Sequence, residues 1–410
     1  MADRLRPRDA KDVEAAVQWA LGEGKALELI GHGSKRAIGR PVQTDLSLDL
    51  SGLSGVTLYE PEELVLSAKA GTPLAEVEAL AAAKGQQLAF EPMDYGPLLG
   101  GPLGHGTIGA ALAMNLGGPR RIKAGAARDH FLGFSAVSGR GETFKSGGRV
   151  VKNVTGYDLC KLMAGSWGTL AAMTDITVKT LPAPETEQTV LLRVPGAAEA
   201  IEAMGCAMGS SCDVSGAAYL PSGIAVCTLP AAIADATESL AALRLEGFAP
   251  SLVHRRRVLE ALLKPFGELR ILDAPLSREL WRAVRDVAPF AARGDGADRP
   301  VWRISTAPSQ GAALAAMIAG ETEAQLLYDW AGGLIWLLAE ASEDAGARRI
   351  RRATAALGGH ATLVRAPVAL RAAVGVFEPQ DPALAALARR VKESFDPKGV
   401  LNRGRMWAGV

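Results

Sequence analysis

The stretch ALELIGHGSKRAIGRP, residues 26–41, decides the fold. Five residues of strand character, Ala26 to Ile30, run straight into a loop with glycines at 31, 33 and 39, a serine at 34 and cations at 35 and 36. Glycine is tolerated where backbone must approach another group closely or take positive φ, and successive N–H groups in such a loop form a nest that attracts an anion. The loop therefore reads as a cradle for a charged ligand. It is not one of the familiar cradles. No stretch supplies G-x-x-x-x-G-K-[ST], Gly31, Gly33 and Gly39 do not fall as G-x-G-x-x-G, and no helix of normal apolar periodicity opens behind them. A P-loop NTPase and a classical NAD domain both fail this test.

The surroundings of the loop are α/β in texture. Asp9 is placed to cap a helix with apolar Val13, Ala16, Val17, Ala20 and Leu21 on one face, ending near Gly22 and Gly24. Val56–Glu60 and Leu64–Ala70 are strand candidates separated by a proline turn. Thr72 is expected to cap a second helix with Pro73 at its first position and Gly85 at its stop. Beyond it, glycine stands at 96, 100, 101, 104, 106, 109, 117 and 118, followed by GGPRRIKAGAARD and KNVTGYDLCKLMAGSWGTL. Any one of these loops can be an ordinary turn. Together, each with a cation or hydroxyl nearby, they point to a long phosphate-bearing ligand. After KTLPAPET the pattern changes to apolar segments such as QTVLLRV and IAVCTL with alanine-rich helices, which suits a second α+β region starting near residue 184, and RGDGADRP (293–300) reads as an exposed connection.

Composition removes several function classes. With 45 basic and 44 acidic residues among 410, the chain has no bulk field to recruit nucleic acid or an anionic membrane. No run approaches the roughly 20 apolar residues of a membrane span, and the N-terminus lacks the apolar core of a signal peptide, so a cytoplasmic location is expected. Cys160, Cys206, Cys212 and Cys227 form no C-x-x-C pair and read as reduced core residues. The histidines at 32, 105, 130, 254 and 360 show no ligand spacing, so no metal site is expected. Electron transfer here would require an organic cofactor or a partner.

The order of these motifs carries a resemblance. The G-x-G-S-K loop, the T-I-G segment, GPRR, GAARDHFLG, VKNVTGYDL, AGSWGTL and DITVKTLP resemble, over about residues 8–183, the FAD-binding domain of the p-cresol methylhydroxylase (PCMH) and vanillyl-alcohol oxidase superfamily. More narrowly, GHGSKRAIGRP, VWRIS, DWAGGLIWL, GGHAT and FDPKGVLNRGRM are similar to the family of E subunits of bacterial glycolate oxidase. The resemblance implies an α+β fold: a two-subdomain PCMH-type FAD-binding domain over 1–183, a smaller α+β cap or substrate domain over 184–378, and a C-terminal segment, 379–410, packing back on the FAD domain.

It also implies a cofactor site. Gly31, His32, Gly33, Ser34 and Lys35 would wrap the FAD pyrophosphate, with Arg36 as a further cation, and Gly106, Thr107, Ile108 and Gly109 would pass along the cofactor. Gly118, Arg120, Arg128 and Asp129 are the next candidates. Lys152, Asn153, Thr155, Gly156, Tyr157 and Asp158 would help close the site, with Gly165, Gly168, Thr169 and Leu170 along the adenosine and ribityl parts and Asn402 near the flavin ring. Some superfamily members attach flavin covalently through a histidine just before the loop serine. That position is Gly33 here, so non-covalent FAD is expected.

Oxidising a 2-hydroxy acid needs a carboxylate anchor and a base. Arg303 suits the first, because a guanidinium binds carboxylate bidentately, and His360 the second, because its ordinary pKa lies near neutrality. Trp302 and Trp330 could wall the site or simply pack the core. The G-D-G-N-x-H segment that the resembling D subunits use to place substrate at a metal is missing, since Ala297 and Asp298 follow the GDG at 294–296. Two classes stay open at this stage. One is a redox subunit working with an FAD-containing D subunit and an iron–sulfur F subunit, held at the inner face of the membrane through those partners. The other is a scaffold in which FAD is structural or absent.

Overall fold

The computed structural model describes residues 3–149, 156–233, 238–320 and 324–410 and organises them around three main sheets. The first is parallel, β1 (Asp3–Leu5), β2 (Leu27–Ile30) and β3 (Leu46–Asp49) in the order β1-β3-β2. The helix Ala10–Gly22 crosses between β1 and β2, and the side chain of Asp9 accepts from the Asp12 N–H at 2.9 Å. Its periodic residues Val13, Val17 and Ala20 share a core with Leu27 and Leu48.

The second sheet is antiparallel, built from β4 (Val56–Glu60), β5 (Val65–Lys69), β6 (Phe131–Ser138), β7 (Thr143–Gly147) and β8 (Ala171–Lys179) in the order β4-β5-β8-β6-β7. The helix Leu74–Ala82 follows β5, but Thr72 does not cap it. Pro73 occupies the N-cap, while the Thr72 hydroxyl donates to the Lys69 carbonyl at 2.6 Å and accepts from the Gly55 N–H at 3.0 Å, closing the strand end instead.

The region after residue 184, read from the sequence as the smaller part, carries the widest sheet. Its eight antiparallel strands are β9 (Thr186–Arg193), β10 (Gly216–Leu220), β11 (Leu240–Gly247), β12 (Leu269–Leu272), β13 (Val301–Ser305), β14 (Gln325–Asp329), β15 (Leu334–Leu338) and β16 (His360–Arg365). They lie in the order β12-β9-β11-β10-β14-β15-β13-β16. Alternation sends the two faces to different cores. Trp302, Ile304, Ile335, Leu337 and Leu363 pack with the helices Ala197–Met208, Gly311–Ala319 and Ala347–Leu357, whereas Leu327, Trp336 and Leu338 join a core that includes Phe90, Leu98 and Ile108 of the first region.

Polar ties accompany that apolar seam. Arg244 on β11 clasps Glu91 through two hydrogen bonds of 2.8 and 2.9 Å, and Arg120 bonds Glu246 at 2.6 and 3.0 Å. The indole N–H of Trp330 donates to the Gly118 carbonyl at 3.0 Å. The C-terminal residues return to the first sheet, where Leu401 bridges Leu27. A buried ion pair anchors them: Lys392 Nζ lies 2.6 Å from Asp396 and also donates to the carbonyls of Thr169 and Leu401, while Asp396 accepts from the N–H groups of Val400 and Leu401. The cysteines divide rather than all packing inside: Cys160 and Cys212 are buried, Cys206 and Cys227 are exposed, and all four are free thiols.

Candidate functional site

The opening loop lines a cleft between the first two sheets. Four backbone N–H groups in a row, those of His32, Gly33, Ser34 and Lys35, make no hydrogen bond to another protein group among the described residues. Gly33 has φ +80°, the left-handed conformation that turns such a nest. Lys35 is 8% exposed, and its ammonium reaches only the Ser34 hydroxyl, at 3.3 Å. Burial draws its pKa down to about 8, with the more distant Asp94 opposing. Arg36 is committed elsewhere, paired with Glu28, which also takes Arg405 at 3.5 Å. The nest therefore holds unspent donors and one nearly unpartnered cation.

The second loop closes against the first. Thr107 caps the short helix Ile108–Ala113, and a Cβ on Gly31 would stand 2.8 Å from the Thr107 hydroxyl. A Cβ on Gly109 would meet the Ala70 carbonyl at 2.6 Å, so this glycine is required by packing against β5. Ile108 points into the core. The third loop contributes Gly168 and Trp167, the latter at φ +55°, and with Ala113, Met114, Ala171 and Met173 these give the cleft an apolar wall. Asn402 lines the cleft too, but its amide is spent on backbone: it accepts from the Leu29 N–H at 2.8 Å and donates to the Trp167 carbonyl at 2.7 Å. It positions both walls rather than offering a free group to a ring.

Several expected residues lie away from this cleft. A Cβ on Gly118 would strike the Glu91 carbonyl at 2.4 Å, so Gly118 belongs to the seam with the wide sheet, and Arg120 is consumed by Glu91 and Glu246 there. Asp129 accepts from the Ala126 N–H and the Arg128 N–H is held by Asn115, both local turn contacts. Tyr157 is 89% exposed, Gly156 is a positive-φ turn, and Asp158 caps the helix Leu159–Met163. Gly165 bonds Ala113, the Thr169 hydroxyl bonds Ser166, and Leu170 is core. Lys152, Asn153 and Thr155 lie outside the described residues.

Arg303 and His360 are brought together by register. Ser305 pairs with His360 and Arg303 with Thr362, so the arginine and the histidine occupy one face, two residues apart, while Trp302 goes to the other face. Trp302 is fully buried there, bonding the Ala345 carbonyl at 2.8 Å, and it is no wall of the site. Trp330 instead lies against Arg303: the guanidinium of Arg303 sits 5.0 Å from its ring centre and that of Arg121 4.3 Å. Tyr95 packs edge-on to Trp336 in the same row. Desolvation, then the Arg303 charge, pulls the His360 imidazole below its ordinary pKa. The link to the cofactor cleft runs through Trp167, whose ring meets Phe377 at 5.1 Å, next to Glu378, which accepts from the Ala361 N–H beside His360.

Sequence reasoning missed Trp167, Arg405 and Arg121. A tryptophan held between two glycines in GSWG was a usable signal for the first, whereas nothing local distinguished Arg121 from Arg120.

A family model described as an FAD binding domain matches residues 4–147. Glycolate oxidase subunit GlcE of Escherichia coli is 32% identical over 394 residues, covering 96% of this chain and 95% of that protein. Glycolate oxidase subunit GlcD of Bacillus subtilis is 44% identical over 85 residues, 21% of this chain and 18% of its own length. Among solved structures, an alkyldihydroxyacetonephosphate synthase shares the fold with a TM-score of 0.69 at 17% identity, covering 97% of this chain and 75% of that one. The protein is an FAD-dependent oxidoreductase of the PCMH type. Within that class it belongs to the family of the glycolate oxidase subunit GlcE.

Proposed function

We propose that this chain is the FAD-binding subunit of a glycolate oxidase or dehydrogenase complex, oxidising glycolate or a similar small 2-hydroxy acid such as D-lactate to the 2-oxo acid. The carrying observation is the cleft itself, whose four unspent N–H donors and buried Lys35 suit a diphosphate and whose apolar wall suits a flat ring system. Bound FAD supplies a two-electron acceptor at that cleft. Gly31, His32, Gly33, Ser34 and Lys35 would hold its diphosphate, with Thr107, Gly109, Trp167 and Gly168 along its length. Binding is non-covalent, since the position before Ser34 is a glycine with no nucleophile.

On the substrate side, Arg303 binds the carboxylate and His360, neutral near pH 7 because its pKa is depressed, accepts the hydroxyl proton. The patch lies under the wide sheet and is joined to the cleft through Trp167 and Phe377. Electrons leave to an iron–sulfur partner subunit, with a GlcD-like, FAD-containing subunit completing the complex. No helix among the described residues is long and apolar enough to cross a membrane, so attachment to the inner membrane face would run through those partners.

The test is an absorbance spectrum of the purified chain before and after anaerobic glycolate. Flavin bands that bleach support oxidation on this subunit. Bands that persist place oxidation on a partner, and absence of flavin even after reconstitution refutes the cofactor assignment.

A further inference from the structure

We propose that Arg121 is the second arm of a carboxylate clamp, gripping the substrate together with Arg303 beside the Trp330 ring. The inference rests on the reading above that a 2-hydroxy acid is oxidised on this chain, and it adds a residue that neither the motifs nor the family match assigned.

Two adjacent arginines have opposite fates. Arg120 is 9% exposed and locked to Glu91 and Glu246. The Arg121 side chain has no carboxylate or hydrogen-bond partner among the described residues, and its guanidinium lies 4.3 Å from the Trp330 ring centre. Arg303 is alike: no ion pair among the described residues, and the same ring 5.0 Å away. Two cations sharing one aromatic ring repel each other, and an indole offers only a partial countercharge. Each guanidinium keeps a fork of donors for an incoming anion.

The ring they share is held firmly. Trp330 and Ala331 sit in the turn joining β14 and β15 with φ of +53° and +56°, two successive non-glycine residues in the left-handed region, a strained arrangement of the sort found at binding sites. The backbone N–H of Trp330 donates to Asp329 at 2.7 Å and its indole N–H to Gly118 at 3.0 Å. Asp329, 3% exposed on the same sheet face as Arg303, is pushed up to about 7 by burial and so offers only a partial charge to the pair. Arg121 comes from the first region and Arg303 from the wide sheet, so a single small carboxylate bridges the seam. A neutral alcohol gains nothing from this arrangement, and the clamp selects 2-hydroxy acids by charge.

Calorimetric titration of the FAD-loaded full chain with glycolate, with oxalate as an inert carboxylate, and with neutral glycolamide tests the clamp. Arg121→Gln should weaken glycolate and oxalate by about 10- to 100-fold, leave glycolamide and FAD content unchanged, and be partly rescued by Arg121→Lys. Because both arginines grip one group, Arg121→Gln combined with Arg303→Gln should lose less than the product of the single losses. Lys123→Gln, which removes a cation paired with Asp213, should do nothing. Wild-type affinity in Arg121→Gln overturns the clamp while leaving the function standing. A wild-type, FAD-loaded chain that binds neither carboxylate overturns substrate oxidation on this chain, and the clamp with it.

Discussion

At the residue scale the cofactor cleft turns on Lys35. Its ammonium is buried without a carboxylate in hydrogen-bond reach, so the free protein holds it near pKa 8. A diphosphate favours the charged form, which makes FAD binding take up a proton wherever the free amine is deprotonated. FAD affinity should therefore be flat below about pH 8 and fall by up to tenfold per unit above it. Lys35→Met should bind more weakly throughout and show no such break, as fluorescence titration of FAD against pH will show. Gly31 tests the other dimension of the site. A side chain at 31 forces the first loop off Thr107, so Gly31→Val should cost most of the bound FAD while changing the melting temperature of the unloaded chain by only a few degrees.

At the scale of elements, the seam between the loops of the first region and β11 rests on Glu91, Arg120, Arg244 and Glu246. Burial opposes the Glu246 charge, yet the guanidiniums of Arg244 and Arg120 prevail and hold its carboxyl down to about 2. A carboxyl depressed in the folded state stabilises above its unfolded pKa and loses that contribution as the pH falls towards the folded one. Roughly 3 kcal/mol should disappear between about pH 4.5 and pH 2, visible in urea midpoints. Arg244→Met leaves two buried carboxylates sharing Arg120 and should destabilise by about 3–5 kcal/mol. The register of β13 against β16 belongs to this scale too. A one-residue slip would send Arg303 to the helix-covered face and bring Trp302 into the site.

At the scale of the whole molecule, the cleft is assembled from opposite ends of the chain. Asn402 and Arg405 line it, and they are held there by the Lys392–Asp396 pair packed against Thr169. Removing residues 397–410 should abolish FAD retention while the wide sheet keeps its circular-dichroism signal. Lys392→Met, which leaves Asp396 buried and uncompensated, should lower FAD affinity and the melting temperature together.

What the sequence determined by itself was local: the capped helix after Asp9, the strand into the glycine loop and the order of the glycine clusters. These depend on propensity, turn chemistry and period, which neighbouring residues carry. Thr72 failed as a cap because its hydroxyl is taken by the Lys69 carbonyl three residues before it and by the N–H of Gly55, 17 residues away, a partner supplied only by the fold. Which of two adjacent arginines would be neutralised, which tryptophan would face the site, and whether Asn402 would be free were decided only by the tertiary structure. Those outcomes depend on partners more than a hundred residues away, Glu246 for Arg120, Gly118 for Trp330 and Leu29 for Asn402. No window of sequence contains both members of such a pair, so the chemistry of each side chain became legible only once the sheets had closed on one another.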